Sequence, residues 1–170
     1  ETDLPNPQST YGSTKLAGEQ AIVKHCEKYI ILRTAWVFAE HGNNFVKTML
    51  RLAQTRPELR VVADQIGGPT YAGDIAEAII SICSKLKDVN ESRWGFYHFS
   101  GYPYVSWHQF AVAILSQAEN LDLVETSPKV VAITTAEYPT PASRPKYSML
   151  NCDKIASQFS IYPSDWNKSL

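Results

Sequence analysis

The chain has 170 residues, 44% hydrophobic and 19% charged, the size and composition of about one globular domain with a real core, which excludes disordered and fibrous classes. Sixteen basic against seventeen acidic residues leave a formal net charge of −1, so no long-range field gathers nucleic acid or an anionic membrane. Neither is expected as a partner, and any anionic substrate must be held by local charges.

No apolar run reaches the ~18 residues that span a bilayer, and no basic and apolar leader opens the chain, so the cytoplasm is the expected compartment. Cys26, Cys83 and Cys152 are odd in number and widely spaced, which fits buried, reduced thiols better than a disulfide framework. His25, His41, His98 and His108 do not form a metal-ligand spacing with Cys or carboxylates, and no catalytic metal is expected. The opening Glu1-Thr2-Asp3-Leu4-Pro5 reads as a loop with no initiator Met, as in a chain that begins inside a longer protein.

In chain order, Asn6 is a plausible N-cap and Pro7 a first helical residue, with helix-compatible sequence from Tyr11 to Lys28. The apolar run from Tyr29 to Phe38 lacks clean alternation and predicts one strand covered on both faces. After His41-Gly42-Asn43-Asn44, Phe45, Met49, Leu52 and Ala53 recur at helical spacing until Arg56-Pro57, with Asn44 placed to cap that helix. A short strand from Leu59 to Ala63 and a loop from Asp64 to Thr70 lead into a helix whose buried stripe reads as Ile75, Ala76, Ile79, Ile80, Cys83 and Leu86. Phe96 to Phe99 is a strand candidate. Ser106 and Gln109 match a capping box for a helix ending near Asn120. The proline-rich stretch from Pro128 to Pro145 predicts extended segments and loops, before a last short helix from Asp153 to Phe159. The rhythm is that of an α/β protein with parallel strands.

Tyr11 and Lys15 lie four apart on the first helix, which stacks them on one face. A phenol titrates near ~10, so it exchanges protons near neutral pH only with a positive charge beside it, and Lys15 is placed to supply one. The spacing alone is common on amphipathic helices. Its context is not: Tyr11 to Glu19, Leu32 to Phe38, Asn44 to Leu50, Asp64 to Thr70 and Ala142 to Leu150 together resemble the extended short-chain dehydrogenase/reductase family over nearly the whole chain.

That resemblance implies the C-terminal part of a Rossmann-like NAD(P)-binding fold plus a small mixed α/β substrate-binding domain. Residues 1–38 would carry the catalytic helix and following strand, and 39–170 mainly the sugar-nucleotide domain, with roughly 73–100 returning to the first sheet. It implies reduction of the C4 ketone of a dTDP-linked sugar by NADPH or NADH. Tyr11 would be the proton donor, and Lys15 would bind the nicotinamide ribose and lower the Tyr11 pKa. Trp36, Asn44, Gln65, Thr70 and Arg144 would contact substrate: Trp36 by covering the sugar and Arg144 by binding phosphate oxygens. Some relatives are magnesium-dependent homodimers with carboxylates at the interface, where Asp74 is the corresponding acid. The family's Gly-rich pyrophosphate turn and its additional Ser or Thr are absent from the sequence, so the 170-residue chain by itself is expected neither to bind NADPH well nor to turn over. A non-catalytic regulatory subunit of the same fold, or an epimerase or dehydratase acting on another nucleotide sugar, are the alternatives.

Overall fold

The computed structural model describes residues 1–86, 93–124, 126–140 and 144–170. Helix α1 (Thr10–His25) leads into β1 (Ile30–Arg33) and β2 (Val37–Phe38), followed by α2 (Phe45–Ala53) and β3 (Glu58–Val62). Two short strands, β4 (Ile66–Gly67) and β5 (Thr70–Tyr71), precede α3 (Ala72–Leu86), β6 (Gly95–His98), β7 (Val105–Ser106) and α4 (Trp107–Asn120). The chain closes with β8 (Lys129–Ile133), β9 (Tyr147–Ser148) and α5 (Asp153–Phe159).

The architecture is α/β with mostly parallel pairing. β1 pairs with β6 from Ile30 opposite Gly95 to Arg33 opposite His98, β2 with β5, and β3 with β8 from Glu58 opposite Lys129 to Val62 opposite Ile133. β4 lies between antiparallel β7 and parallel β9. Two hydrophobic clusters form. One gathers Phe38, Met49, Leu59, Phe110 and Trp166 between α2, α4 and the β3–β8 pair. The other packs Ile82 of α3 and Ile155 and Phe159 of α5 against Tyr97 of β6.

Several expectations need correction. The first helix is capped by Ser9, whose Oγ accepts the Gly12 N–H at 3.1 Å, and not by Asn6. Pro7 stays outside it in the lead-in, and the helix ends at His25, short of Lys28. The run from Tyr29 to Phe38 is two strands in two sheets, because Trp36 adopts a left-handed backbone at φ 50 and turns the chain between them. The loop from Asp64 to Thr70 contains β4 and β5. On α3 the buried positions are Ala78 and Ile82, while Ile79 is 47% and Ile80 65% exposed and Cys83 is exposed. The helix holds apolar residues on more than one face, so spacing alone does not choose which face the core takes. All three cysteines are free, but only Cys152 is buried.

The helix over Trp107–Asn120 is capped as its sequence predicts: Ser106 Oγ accepts the Gln109 N–H at 3.1 Å and Gln109 Oε1 accepts the Ser106 N–H at 2.8 Å. Because α4 contributes Phe110, Ile114 and Leu115 to the first cluster, losing the cap loosens that packing. Ser106→Ala in the full-length protein is expected to lower the stability of this region by about 1 kcal/mol. Denaturant unfolding should show a lower midpoint at unchanged slope, and an unchanged midpoint would contradict the assignment.

Candidate active site

Tyr11 and Lys15 share one face of α1, with the Lys15 Nζ 5.7 Å from the centre of the Tyr11 ring. Tyr11 is 71% exposed and Lys15 is exposed, so both are available to a ligand. No residue of α1 is buried. The helix is tied to β1 by Arg33, whose Nε and Nη2 donate to the two carboxylate oxygens of Glu19 at 2.8 and 2.5 Å. A bidentate pair of this kind fixes orientation as well as position. Beside Arg33, the His98 backbone N–H donates to the Glu1 carboxylate at 3.0 Å. Burial pushes the His98 imidazole below its ordinary value, consistent with a neutral ring whose nitrogens are enclosed.

A cleft of about 730 Å³ opens elsewhere, between α2, α4 and the β3–β8 pair. Its floor is apolar, with Phe38, Leu59 and Phe110, and its walls include Trp36, Phe45 and Trp107. Arg56, Glu58, Arg60, Glu137 and Arg144 supply charge around it. An aromatic and apolar interior with a few charged groups is the ordinary construction of a small-molecule site.

Among the expected substrate residues, the cleft brings together Trp36, Gln65 and Arg144. Arg144 is exposed; Pro141, Ala142 and Ser143 just before it lie outside the described residues. Gln65 is 6% exposed and its Nε2 donates to Thr135 Oγ1 at 3.0 Å. Trp36 stacks on Trp107 with ring centres 3.5 Å apart and planes 11° from parallel, so that face of the indole is taken.

Asn44 and Thr70 do not line it. Asn44 Oδ1 accepts the Lys47 N–H at 3.1 Å and its Nδ2 donates to Ala39 O at 2.6 Å, so the amide is engaged in capping α2. Thr70 is fully buried, with its hydroxyl donating to Gly68 O at 3.0 Å and accepting the Gly101 N–H at 3.1 Å. The hydroxyl thereby joins the Gly68 and Gly101 loops. Tyr11 and Lys15 do not line the cleft either.

Sequence reading missed Arg56, Arg60, Trp107 and Tyr138 as cleft residues. The alternation of Glu58, Leu59, Arg60 and Val61 was a signal, since it sends charge to one side of β3 and apolar groups to the other. Asp74, the acid named for a magnesium-bearing interface, sits in the first turn of α3 with a buried, unpartnered Oδ2. A carboxylate there is favoured by the helix dipole. Among the described residues no three His, Cys, Asp or Glu side chains gather around a common point, so this chain alone offers no ligand set for the ion. Nor is any described helix long and apolar enough to cross a membrane.

Gly67 makes the Trp36 seat possible. A Cβ at this position would stand 2.5 Å from Trp36 Cε2, so Gly67→Ala must displace the indole or the strand carrying residue 67 and disturb the stack on Trp107. The expected result is loss of the near-ultraviolet circular dichroism of the stacked pair with the far-ultraviolet spectrum retained. An unchanged near-ultraviolet spectrum would mean the indole is seated differently.

The family model described as RmlD substrate binding domain matches residues 1–170. A dTDP-4-dehydrorhamnose reductase of Aggregatibacter actinomycetemcomitans is 52% identical over 170 residues, covering 100% of this chain and 58% of that relative. A crystal structure of dTDP-4-dehydrorhamnose reductase from Bacillus anthracis in complex with NADP has a TM-score of 0.83 at 38% identity, covering 99% of this chain and 56% of that one. An ortholog from Clostridium acetobutylicum has a TM-score of 0.87 at 39% identity, with the same coverage. The chain thus spans little more than half the length of these relatives. Its full-length match places it plainly: the chain belongs to the RmlD substrate binding domain family.

Proposed function

We propose that the protein carrying this chain is an NADPH-dependent reductase that converts dTDP-4-dehydro-L-rhamnose to dTDP-L-rhamnose. The observation that carries the reading is the exposed pair of Tyr11 and Lys15 on one face of α1. Support comes from the 52% identical reductase and from the NADP bound to the Bacillus anthracis relative.

In this reading a reduced nicotinamide, bound with its ribose against Lys15, supplies a hydride to C4 of the sugar. Tyr11 donates its phenolic proton to the C4 oxygen, so the ketone becomes an alcohol and the phenolate is left to recover a proton from water. Lys15 eases that transfer by stabilising the phenolate electrostatically. The nucleotide sugar occupies the cleft, with Trp36 against the sugar through the part of its indole that neither Trp107 nor Gly67 covers, and Arg144 toward the diphosphate. Asn44 and Gln65 would contribute only by shaping the cleft. We assign β1 and β6 to the cofactor sheet and the α2, β3, α4 and β8 assembly to substrate binding. Parts of the protein outside this chain would then cover α1, in keeping with the absence of any buried residue on it. A homodimer and a cytoplasmic setting belong to the same reading, the latter supported by three free thiols.

Tyr11→Phe in the full-length protein is expected to lower kcat by ~10²-fold or more while sugar-nucleotide binding is largely kept. NADPH oxidation followed by absorbance checks it, and an unchanged kcat would remove Tyr11 from the mechanism. Trp36→Ala should weaken the sugar nucleotide by about 1–3 kcal/mol and NADPH much less, as read by calorimetric titration of each. Equal weakening of both ligands would return Trp36 to a purely structural role.

A further inference from the structure

The outer wall of the cleft is a segment with little regular structure. β8 ends at Ile133, and the chain runs through a 3-10 turn at Thr135–Glu137 to Tyr138 and Thr140, both of which line the cleft. A set of bonds at the C-terminal ends of β3 and β8 helps hold this segment. Parallel register delivers those ends side by side, with Val62 opposite Ile133 and the Ala63 N–H donating to Ile133 O at 2.8 Å. Just beyond, Asp64 Oδ1 accepts both the backbone N–H of Thr135 at 2.8 Å and its hydroxyl at 2.7 Å. With its hydrogen directed at Asp64, the Thr135 hydroxyl accepts from Gln65 Nε2 at 3.0 Å.

A second tie is weaker. Glu137 Oε2 accepts the N–H and hydroxyl of Thr134 at 2.8 and 2.9 Å, and Oε1 faces Arg60 at 3.3 Å. The Arg60–Glu137 pair is about half exposed on both sides, where water and salt screen most of its attraction. The bonds within Thr134–Glu137 shape the turn but do not fix it to the sheet. Asp64 does, through two charge-assisted bonds to one half-buried residue.

We propose that Asp64 is a positioning residue for substrate: by gripping Thr135 it sets where the segment bearing Tyr138 and Thr140 stands against the cleft, and so governs affinity for the nucleotide sugar. Asp64 itself does not line the cleft. The inference rests on the cleft being the nucleotide-sugar site of a reductase. The grip persists across neutral pH, because the Thr135 bonds hold the Asp64 carboxyl below its usual range and so keep it charged.

The test uses the full-length protein, NADPH and dTDP-4-dehydro-L-rhamnose, with KM measured separately for each ligand. Asp64→Ala and Thr135→Val should each raise KM for the sugar nucleotide on the order of tenfold, leaving kcat and KM for NADPH within about twofold. Thr135→Ser keeps both donors and should stay near wild type. The double variant Asp64→Ala/Thr135→Val should be no worse than the more impaired single variant, because the hydroxyl bond lost in Thr135→Val is one of the two lost in Asp64→Ala. An unchanged sugar-nucleotide KM in Thr135→Val, which is close in shape to threonine, would overturn the proposal. So would Thr135→Ser as impaired as Thr135→Val, or a parallel loss of NADPH affinity. A wild-type protein that oxidises no NADPH with this sugar overturns the reductase reading itself. An active wild type with unaffected variants removes only the role given to Asp64.

Discussion

The turn at Trp36 is the constraint on which the site depends. A bulky side chain in the left-handed region costs on the order of 1–3 kcal/mol, and it persists only where the surroundings over-determine it. Here three contacts do so: the stack on Trp107, the bare Cα of Gly67 beneath the ring, and the Trp36 carbonyl accepting the Thr70 N–H at 3.1 Å. These tie the end of the first strand run to β4, to β5 and to the first residue of α4. Without the turn, β1 and β2 would continue as one strand, and the cleft would lose the aromatic wall that Trp36 and Trp107 form together.

The same turn separates two parts of the structure. On one side stand α1 and the β1–β6 pair, joined by Arg33 and Glu19, with Tyr11 and Lys15 facing outward. On the other stands the cleft, whose floor is the first hydrophobic cluster and whose outer wall hangs from Asp64. Reaction in the proposed scheme requires the sugar to extend from the cleft toward the Tyr11 face. Binding energy gathered on the nucleotide end then orients the carbonyl at the other end.

Local signals were the legible part of the sequence. The caps at Asn44 and Ser106, the helix at Asp153–Phe159 and the proximity of Tyr11 to Lys15 follow from residues within a few positions of each other, and they stand in the structure. What failed was decided by tertiary contacts. The break at Trp36 needs Gly67 and Trp107, about 30 and 70 residues away, and no periodicity announces it. Ile79 and Ile80 look like core by spacing, but α5 and β6 cover the Ala78 and Ile82 face instead. The bonds of the Thr70 hydroxyl to Gly68 and Gly101 likewise depend on a loop 31 residues away that its local motif does not announce. The charges at the cleft mouth come from β3 and from the segment after β8, which only the parallel pairing of those strands brings together.

The claim that joins these observations is that the cleft walled by Trp36, Trp107 and Arg144 holds the nucleotide sugar. A crystal structure of the full-length protein with dTDP-L-rhamnose and NADP bound tests it most directly. The account predicts the nucleotide in the cleft near Arg144, the sugar against Trp36, and the C4 hydroxyl within hydrogen-bonding distance of Tyr11. A nucleotide sugar bound elsewhere, with the cleft filled only by water, would contradict it.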